Sequence, residues 1–237
     1  MNALDLFLNT FINSFKFWDH IDSNGNAVAG DPSAWFQWVI LTFMVIGMAI
    51  VIERFYYVYV RSNINAGKFM ERIRQHVQSN NIKEAIALAE QSKEKALPYI
   101  VLRGLKRADT SKEFRDIQNA VDEATLEVIP RLTNRTGYLV MIASASTLLG
   151  LAGTIFGLII AFGAVGGTAI PAAQKSQYLA QGISAAMGTT MMGLFSAIPL
   201  TVLVVLIQAK TQSIIDEIDE HTVKLINLLT GYKPVIN

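Results

Sequence analysis

Two runs of small and hydroxyl-bearing residues carry the chemistry open to this 237-residue chain. In the first, Ser144, Ser146, Thr147, Gly150, Gly153, Thr154 and Gly157 lie close together. Thr147, Gly150, Thr154 and Gly157 are three or four apart and share one face of a helix. In the second run, Gly182, Ala185, Thr189, Gly193 and Ser196 repeat at the same spacing, with Thr190 beside them and Pro199 beyond. Small residues let helix backbones approach closely, and Ser or Thr hydroxyls bridge helices. The same hydroxyls can line a narrow hydrated path, coordinating a stripped cation or holding a chain of water. Spacing alone leaves both readings open.

The elements that must position these residues are membrane helices. Mean hydropathy is +0.35, hydrophobic residues make up 51% of the chain and charged residues only 16%. A soluble domain carries about a quarter charged residues. Crossing the hydrocarbon core takes about 20 mostly apolar residues. Three segments meet that length: Trp35 to Ile52, about Gly137 to Ala164, and about Leu179 to Ile207. Trp35, Trp38, Tyr56, Tyr57 and Tyr59 flank the first as an aromatic belt would. Buried helices of a soluble protein would not need such lengths.

Positive charge sets the expected orientation. Of the 20 Lys and Arg residues, 14 lie between Arg61 and Arg135, against Lys16 before the first span and Lys175 between the second and third. By the positive-inside rule this loop is cytoplasmic and the N-terminus outside; Lys210, Lys224 and Lys233 in the tail agree. The expected fold is an all-α membrane protein with three transmembrane helices, N-terminus outside, whose long helices extend into a cytoplasmic helical domain. Its expected parts are a periplasmic amphipathic segment (1–33), a first transmembrane helix (34–60) and a cytoplasmic helical domain (61–135). A second transmembrane helix (136–164), a short periplasmic loop (165–178), a third transmembrane helix (179–208) and a cytoplasmic C-terminal helix (209–237) complete it.

Within the cytoplasmic part, Ile64–Gln78, Ile82–Ser92 and Leu97–Arg107 show amphipathic helical patterns, punctuated by Ser79–Asn81 and by Pro98. Phe114, Ile117, Val121, Ala124, Val128 and Leu132 recur at helical spacing almost into the second span. Beyond the third span, Ile214, Ile218, Leu225 and Leu229 alternate with acidic residues, which predicts one continuous helix. Such apolar stripes pack against each other or against further subunits. At the start of the chain, Leu4, Leu8, Phe11 and Phe15 mark an amphipathic helix for the outer interface, with no basic n-region or cleavage pattern of a signal peptide. Asp22–Asn26 opens like a calcium loop but has Ser33 where the closing Glu belongs, so a plain Asn/Gly turn is expected.

Other function classes fit poorly. A net charge of +1 gives no footprint for nucleic acid, and the chain has no cysteine for disulfides or thiolate chemistry. His20, His76 and His221 lie in different regions, with no nucleophile–base pair or metal-ligand spacing, so no enzyme and no cofactor are expected. One absence is more informative: none of the three spans holds an Asp, Glu, His, Lys or Arg. Proton or cation passage usually needs an intramembrane carboxylate. A conducting assembly would draw that group from another polypeptide.

These residues resemble the MotA/TolQ/ExbB family of stator-type ion channels, particularly its ExbB/TolQ branch. Ala145 to Leu158, ASTLLGLAGTIFGL, is similar to that family's small-residue second span, and Gly182 to Pro199, GISAAMGTTMMGLFSAIP, to its third. Ile52, Glu53 and Arg54 at the end of the first span are also common there. The resemblance implies a homopentamer around two copies of a single-span ExbD/TolR-like partner whose transmembrane Asp carries the ion. It also implies the bacterial inner membrane and an envelope process driven by ion flow, through a TonB/TolA-like protein, the Tol system or a related motor. The alternative is a non-conducting structural component of an envelope transport complex. By resemblance, Thr154, Thr189, Thr190 and Thr147 are the ion-pathway residues. Gly150, Gly153, Gly157, Gly182, Ala185, Gly193 and Pro199 pack the pore helices. One departure stands out: the family's frequent third-span Glu falls at Ala185. With Thr189–Thr190 resembling the paired threonine of sodium-driven subunits, this favours Na+ over H+ as the transported ion, held transiently by Thr154, Thr189 and Thr190.

Overall fold

The structure is a computed structural model that describes residue 12 and residues 20–21, 27–28, 34–62, 64–111, 113–167 and 171–231. The expected interfacial helix over 1–17, apart from Ile12, lies outside the described residues, as do the 22–26 turn and Lys233. The only β structure among the described residues is a two-residue bridge, which the all-α expectation did not include. In it β1 (His20–Ile21) runs antiparallel to β2 (Ala27–Val28), with His20 opposite Val28.

Among the described residues, everything else of regular structure is helical. The helices there are α1 (Ala34–Tyr56), α2 (Ala66–Gln78), α3 (Ile82–Gln91), α4 (Ala96–Thr110), α5 (Phe114–Thr133), α6 (Thr136–Gly166) and α7 (Ala172–Thr230), with a wide π-helical turn over Tyr57–Arg61 after α1. Three stretches, Ala34–Gln78, Phe114–Gly166 and Ala172–Thr230, contain helix long and apolar enough to cross a membrane. A helix satisfies its backbone amides locally, which lipid requires. The chain forms two compact units, one of residues 1–51 with 137–204, the other of residues 52–136 with 205–237.

In the first unit, α1 meets its neighbours through Gly47, where a Cβ would lie 2.9 Å from Leu200 Cδ1 and 3.3 Å from Ile142 Cγ2. The rings of Phe36 and Phe156 pack at 5.6 Å. Ile40, Leu139, Ala186 and Leu200 are fully buried, while Leu148, Ile155, Ile159, Met187 and Phe195 face outward. Such an apolar exterior suits lipid.

In the second unit, α2 starts at Asn65, whose Oδ1 accepts the Lys68 amide at 3.0 Å and so satisfies one of the orphan donors of the first turn. The expected break at Ser79–Asn81 is present, with Asn80 at φ 62°, a left-handed position that Asn tolerates. Pro98 differs from expectation: it does not punctuate but sits in the first turn of α4, where a missing amide hydrogen leaves no bond unmade. On α5, Ile117, Val121, Ala124, Val128 and Leu132 are buried as the spacing predicts, whereas Phe114, at the helix start, is exposed. Between α5 and α6 the chain turns through Arg135 at φ 64°. Arg54, nearly fully buried, donates to the carbonyls of Arg131 (3.3 Å) and Leu132 there, and its guanidinium lies 5.2 Å from the Tyr57 ring centre. Those carbonyls close α5 and have no intrahelical partner, so a cation is favourable against them. Glu53 pairs with Arg135 beside this turn.

The last part of α7 belongs to this unit, and Ile214, Ile218 and Leu225 are buried as its periodicity predicts. Gly104 of α4 packs against both α5 and this part of α7: a Cβ there would lie 2.8 Å from Val121 Cγ2 and 3.4 Å from Leu225 Cδ2. Val121 is stiff at χ1 and cannot swing aside. Gly104→Leu is therefore expected to destabilise the unit by about 1–3 kcal/mol, the usual cost of overpacking. A melting curve of the purified chain in detergent reads that loss directly.

Candidate functional site: a threonine–carbonyl cluster between α6 and α7

Glycines bring α6 and α7 to backbone contact. A Cβ at Gly150 would lie 3.0 Å from Thr189 O and 3.1 Å from Gly193 Cα; one at Gly193 would lie 2.7 Å from Ser146 O. One turn along α6, a Cβ at Gly153 would meet the Thr189 side chain at 2.8 Å, and one at Gly157 would meet Ala186 Cβ at 2.9 Å. Gly182 lies against Ala161 in the same way. The contact at Gly157 is made by Ala186, which is fully buried, while its neighbour Ala185 is half-buried. Pro199 lies on the exposed side of α7, where its ring leaves the Phe195 carbonyl without the usual amide.

Such closeness brings polar groups of the two helices together. Thr189 Oγ1 donates to Ala186 O at 2.7 Å and also lies 3.2 Å from Gly150 O on the other helix. Thr190 Oγ1 reaches Gly150 O at 3.2 Å, and Thr154 Oγ1 reaches Ala186 O at 3.0 Å. Thr154 Oγ1 is hydrogen-bonded to Thr190 Oγ1 and lies 3.5 Å from Thr189 Oγ1. Three hydroxyls and two backbone carbonyls thus form one cluster of oxygens. Thr189 is fully buried, whereas Thr154 and Thr190 are half-buried and form its accessible side. Each hydroxyl has one proton and two lone pairs. Protons drawn to the carbonyls leave lone pairs to accept, which suits a cation or the proton of an incoming acid.

Of the four expected pathway residues, the structure brings three together. Thr147 is exposed, and its hydroxyl turns back to Ala143 O at 3.3 Å on its own helix. A second polar contact lies toward Gly193: Ser146 and Ser196, both buried, approach at 3.4 Å, and Ser146 donates to Ile142 O at 2.8 Å. Sequence reasoning named both serines but not their pairing. It missed Ala186, whose role is a backbone acceptor; its place three residues before Thr189 was the available signal.

Residues 51–220 match the MotA/TolQ/ExbB proton channel family. The chain belongs to that family. Relatives on the ExbB/TolQ side include the putative biopolymer transport protein ExbB homolog of Methanothermobacter thermautotrophicus, 26% identical over 195 residues, spanning 82% of this chain and 65% of that protein. The Tol-Pal system protein TolQ of Haemophilus influenzae is 32% identical over 142 residues, spanning 58% of this chain and 55% of that protein. The putative biopolymer transport protein ExbB-like 3 of Synechocystis is 32% identical over 163 residues, spanning 67% and 73%. The chain thus spans less than two thirds of the length of the first two of these relatives. Among solved structures, MotAB of C. jejuni has the same fold, with a TM-score of 0.61 at 18% identity over 84% of this chain and 79% of that one. Both glycine motifs of this MotA/TolQ/ExbB chain lie inside the matched region.

Proposed function

We propose that this chain is the ion-conducting stator subunit of an ExbB/TolQ-like motor in the bacterial inner membrane, and that the threonine–carbonyl cluster lines its ion path. In this reading residues 34–60, 136–164 and 179–208 cross the membrane, residues 61–135 are cytoplasmic and the N-terminus lies outside. Five copies surround two copies of a single-span ExbD/TolR-like partner, which contributes the transmembrane Asp. Ion flow drives an envelope process, such as TonB-type transport or Tol function, through a TonB/TolA-like protein. The supporting observation is the pairing of Thr154 and Thr190 across two helices whose spans contain no Asp, Glu, His, Lys or Arg. Polar oxygens converge there, yet the group that titrates must come from elsewhere.

The transported ion in this reading is Na+. Hydroxyl and carbonyl oxygens suit a hard cation, whereas a relay of protons uses a carboxylate, and Ala185 leaves none on the third span. The test is flux into proteoliposomes holding the chain and its single-span partner. Flux is expected to follow an imposed Na+ gradient, to persist with a protonophore and to vanish with a sodium ionophore or with the partner's Asp replaced by Asn. Loss with the protonophore alone would reassign the ion to H+. A non-conducting structural role is favoured by the contact of Gly153 on Thr189, which is pure packing; it predicts no flux under either gradient.

A further inference from the structure

We propose that Lys175 is a tethered cation at the outer entrance of the ion path, where it slows the entry of Na+ by repelling it. The inference rests on the proposed reading that the chain conducts Na+ and that the loop over 165–178 lies outside. Between residues 136 and 209, Lys175 is the only Asp, Glu, His, Lys or Arg. It stands in the first turn of α7, which begins at Ala172. That is the unfavourable end of its own helix for a cation, because the free amides there carry a positive partial charge. The end of α6 compensates. Lys175 Nζ donates at 3.2 Å to the carbonyl of Gly167, the residue that follows α6. Carbonyls at such an end have no amide partners and attract cations. The ammonium thus occupies a place where an incoming cation would gather. Among the described residues no carboxylate pairs with it.

The two helices whose ends meet at Lys175 are the two that carry the threonine–carbonyl cluster. At the rise of an α-helix, Thr154 lies about 18 Å along α6 from Gly166, and Thr190 about 22 Å along α7 from Lys175. Salt at about 0.1 M screens charge over about 10 Å. Lys175 therefore acts mainly on a cation approaching the entrance, not on one held by the cluster. A charge kept where it opposes its own helix breaks a local rule, and such breaks mark functional positions.

The test measures Na+ flux into phosphatidylcholine vesicles that hold the full chain with its single-span partner, with choline chloride setting the ionic strength. One unit charge about 7 Å from a passing cation in water changes its local concentration about threefold. Lys175→Gln is therefore expected to raise flux at limiting Na+ about threefold in salt of about 0.01 M, with flux at saturating Na+ unchanged. Lys175→Glu reverses the charge and should raise it roughly tenfold. Both gains should vanish in salt of about 1 M, where charge is screened within about 3 Å. Lys175→Arg should match the parent chain throughout. Variants that stay at the parent flux in low salt would overturn the proposal. So would a gain that persists in high salt, or a fall in saturated flux with a lower melting temperature; either makes Lys175 only a fastening for the end of α6. A parent chain without Na+ flux would sink the conduction reading and this proposal with it. Flux in the parent with unresponsive variants sinks this proposal alone.

Discussion

Gly193→Val is expected to separate α6 from α7 and to prevent assembly. The atoms a Cβ would meet there are Ser146 O at 2.7 Å and Gly150 Cα at 3.0 Å, both backbone, so no rotamer change relieves the clash. Overpacking a core typically costs about 1–3 kcal/mol when side chains can adjust. Here the helices themselves must part, and the Thr189 and Thr190 contacts with Gly150 O part with them. In lipid, helix association depends on this van der Waals contact and interhelical hydrogen bonding. The comparison is Gly163→Val, on the same helix pair and with the same change in helix propensity, where a Cβ meets nothing within 4 Å. Melting temperature and oligomer size in detergent should fall for Gly193→Val and barely move for Gly163→Val. Equal behaviour of the two would mean that the glycine contact does not hold the pair together.

That contrast also shows how far the sequence was legible. Glycines three or four apart in an uncharged span can be read as a close helix contact, because only helix periodicity is needed. Gly150, Gly153, Gly157, Gly182 and Gly193 all fall on the α6–α7 contact. Periodicity does not say how wide the shared face is. Thr147 obeys the same spacing, yet its side chain lies outside the contact, because each step of three or four residues drifts around the helix. Nor can spacing reveal a backbone acceptor such as Ala186 O, whose role depends on how the second helix is placed against the first.

The second unit follows the same pattern. Its buried stripes on α5 and the end of α7 were legible, because burial follows the 3.6-residue period. The clasp of Arg54 on the end of α5 was not, since it joins residues 77 and 78 positions apart. In the sequence Arg54 was, with Glu53, one of the charges that end the first apolar run and part of the Ile52–Arg54 resemblance. In the fold it is a buried cation meeting the carbonyls that a helix end leaves unpaired. A charge at the edge of a span can therefore be structural, and its position in the chain alone does not distinguish that role from an orientation signal.

Thr154→Val is expected to leave the fold intact and to lower ion flux by about 10–100-fold. Valine keeps the shape of threonine and removes Oγ1, the atom that joins Ala186 O, Thr190 and Thr189. A hydrogen bond to a charged group is worth about 1.5–3 kcal/mol, and each 1.4 kcal/mol is about a factor of ten. Thr190→Val should give a loss of similar size, because its hydroxyl is the other half of the accessible pair. Thr147→Val is the comparison within the same span; its hydroxyl bonds only its own helix, and flux should be unchanged. Thr189→Val separates the two roles of the cluster, because Thr189 is fully buried and rests on Gly153. Its loss should lower the melting temperature more than the loss of Thr154 does, since Ala186 O keeps Thr154 as a donor but the buried contact with Gly150 O is gone. Flux in proteoliposomes and melting in detergent measure the two effects separately. Unchanged flux in both Thr154→Val and Thr190→Val, with melting also unchanged, would remove the ion path from this cluster and leave the glycine faces as packing alone.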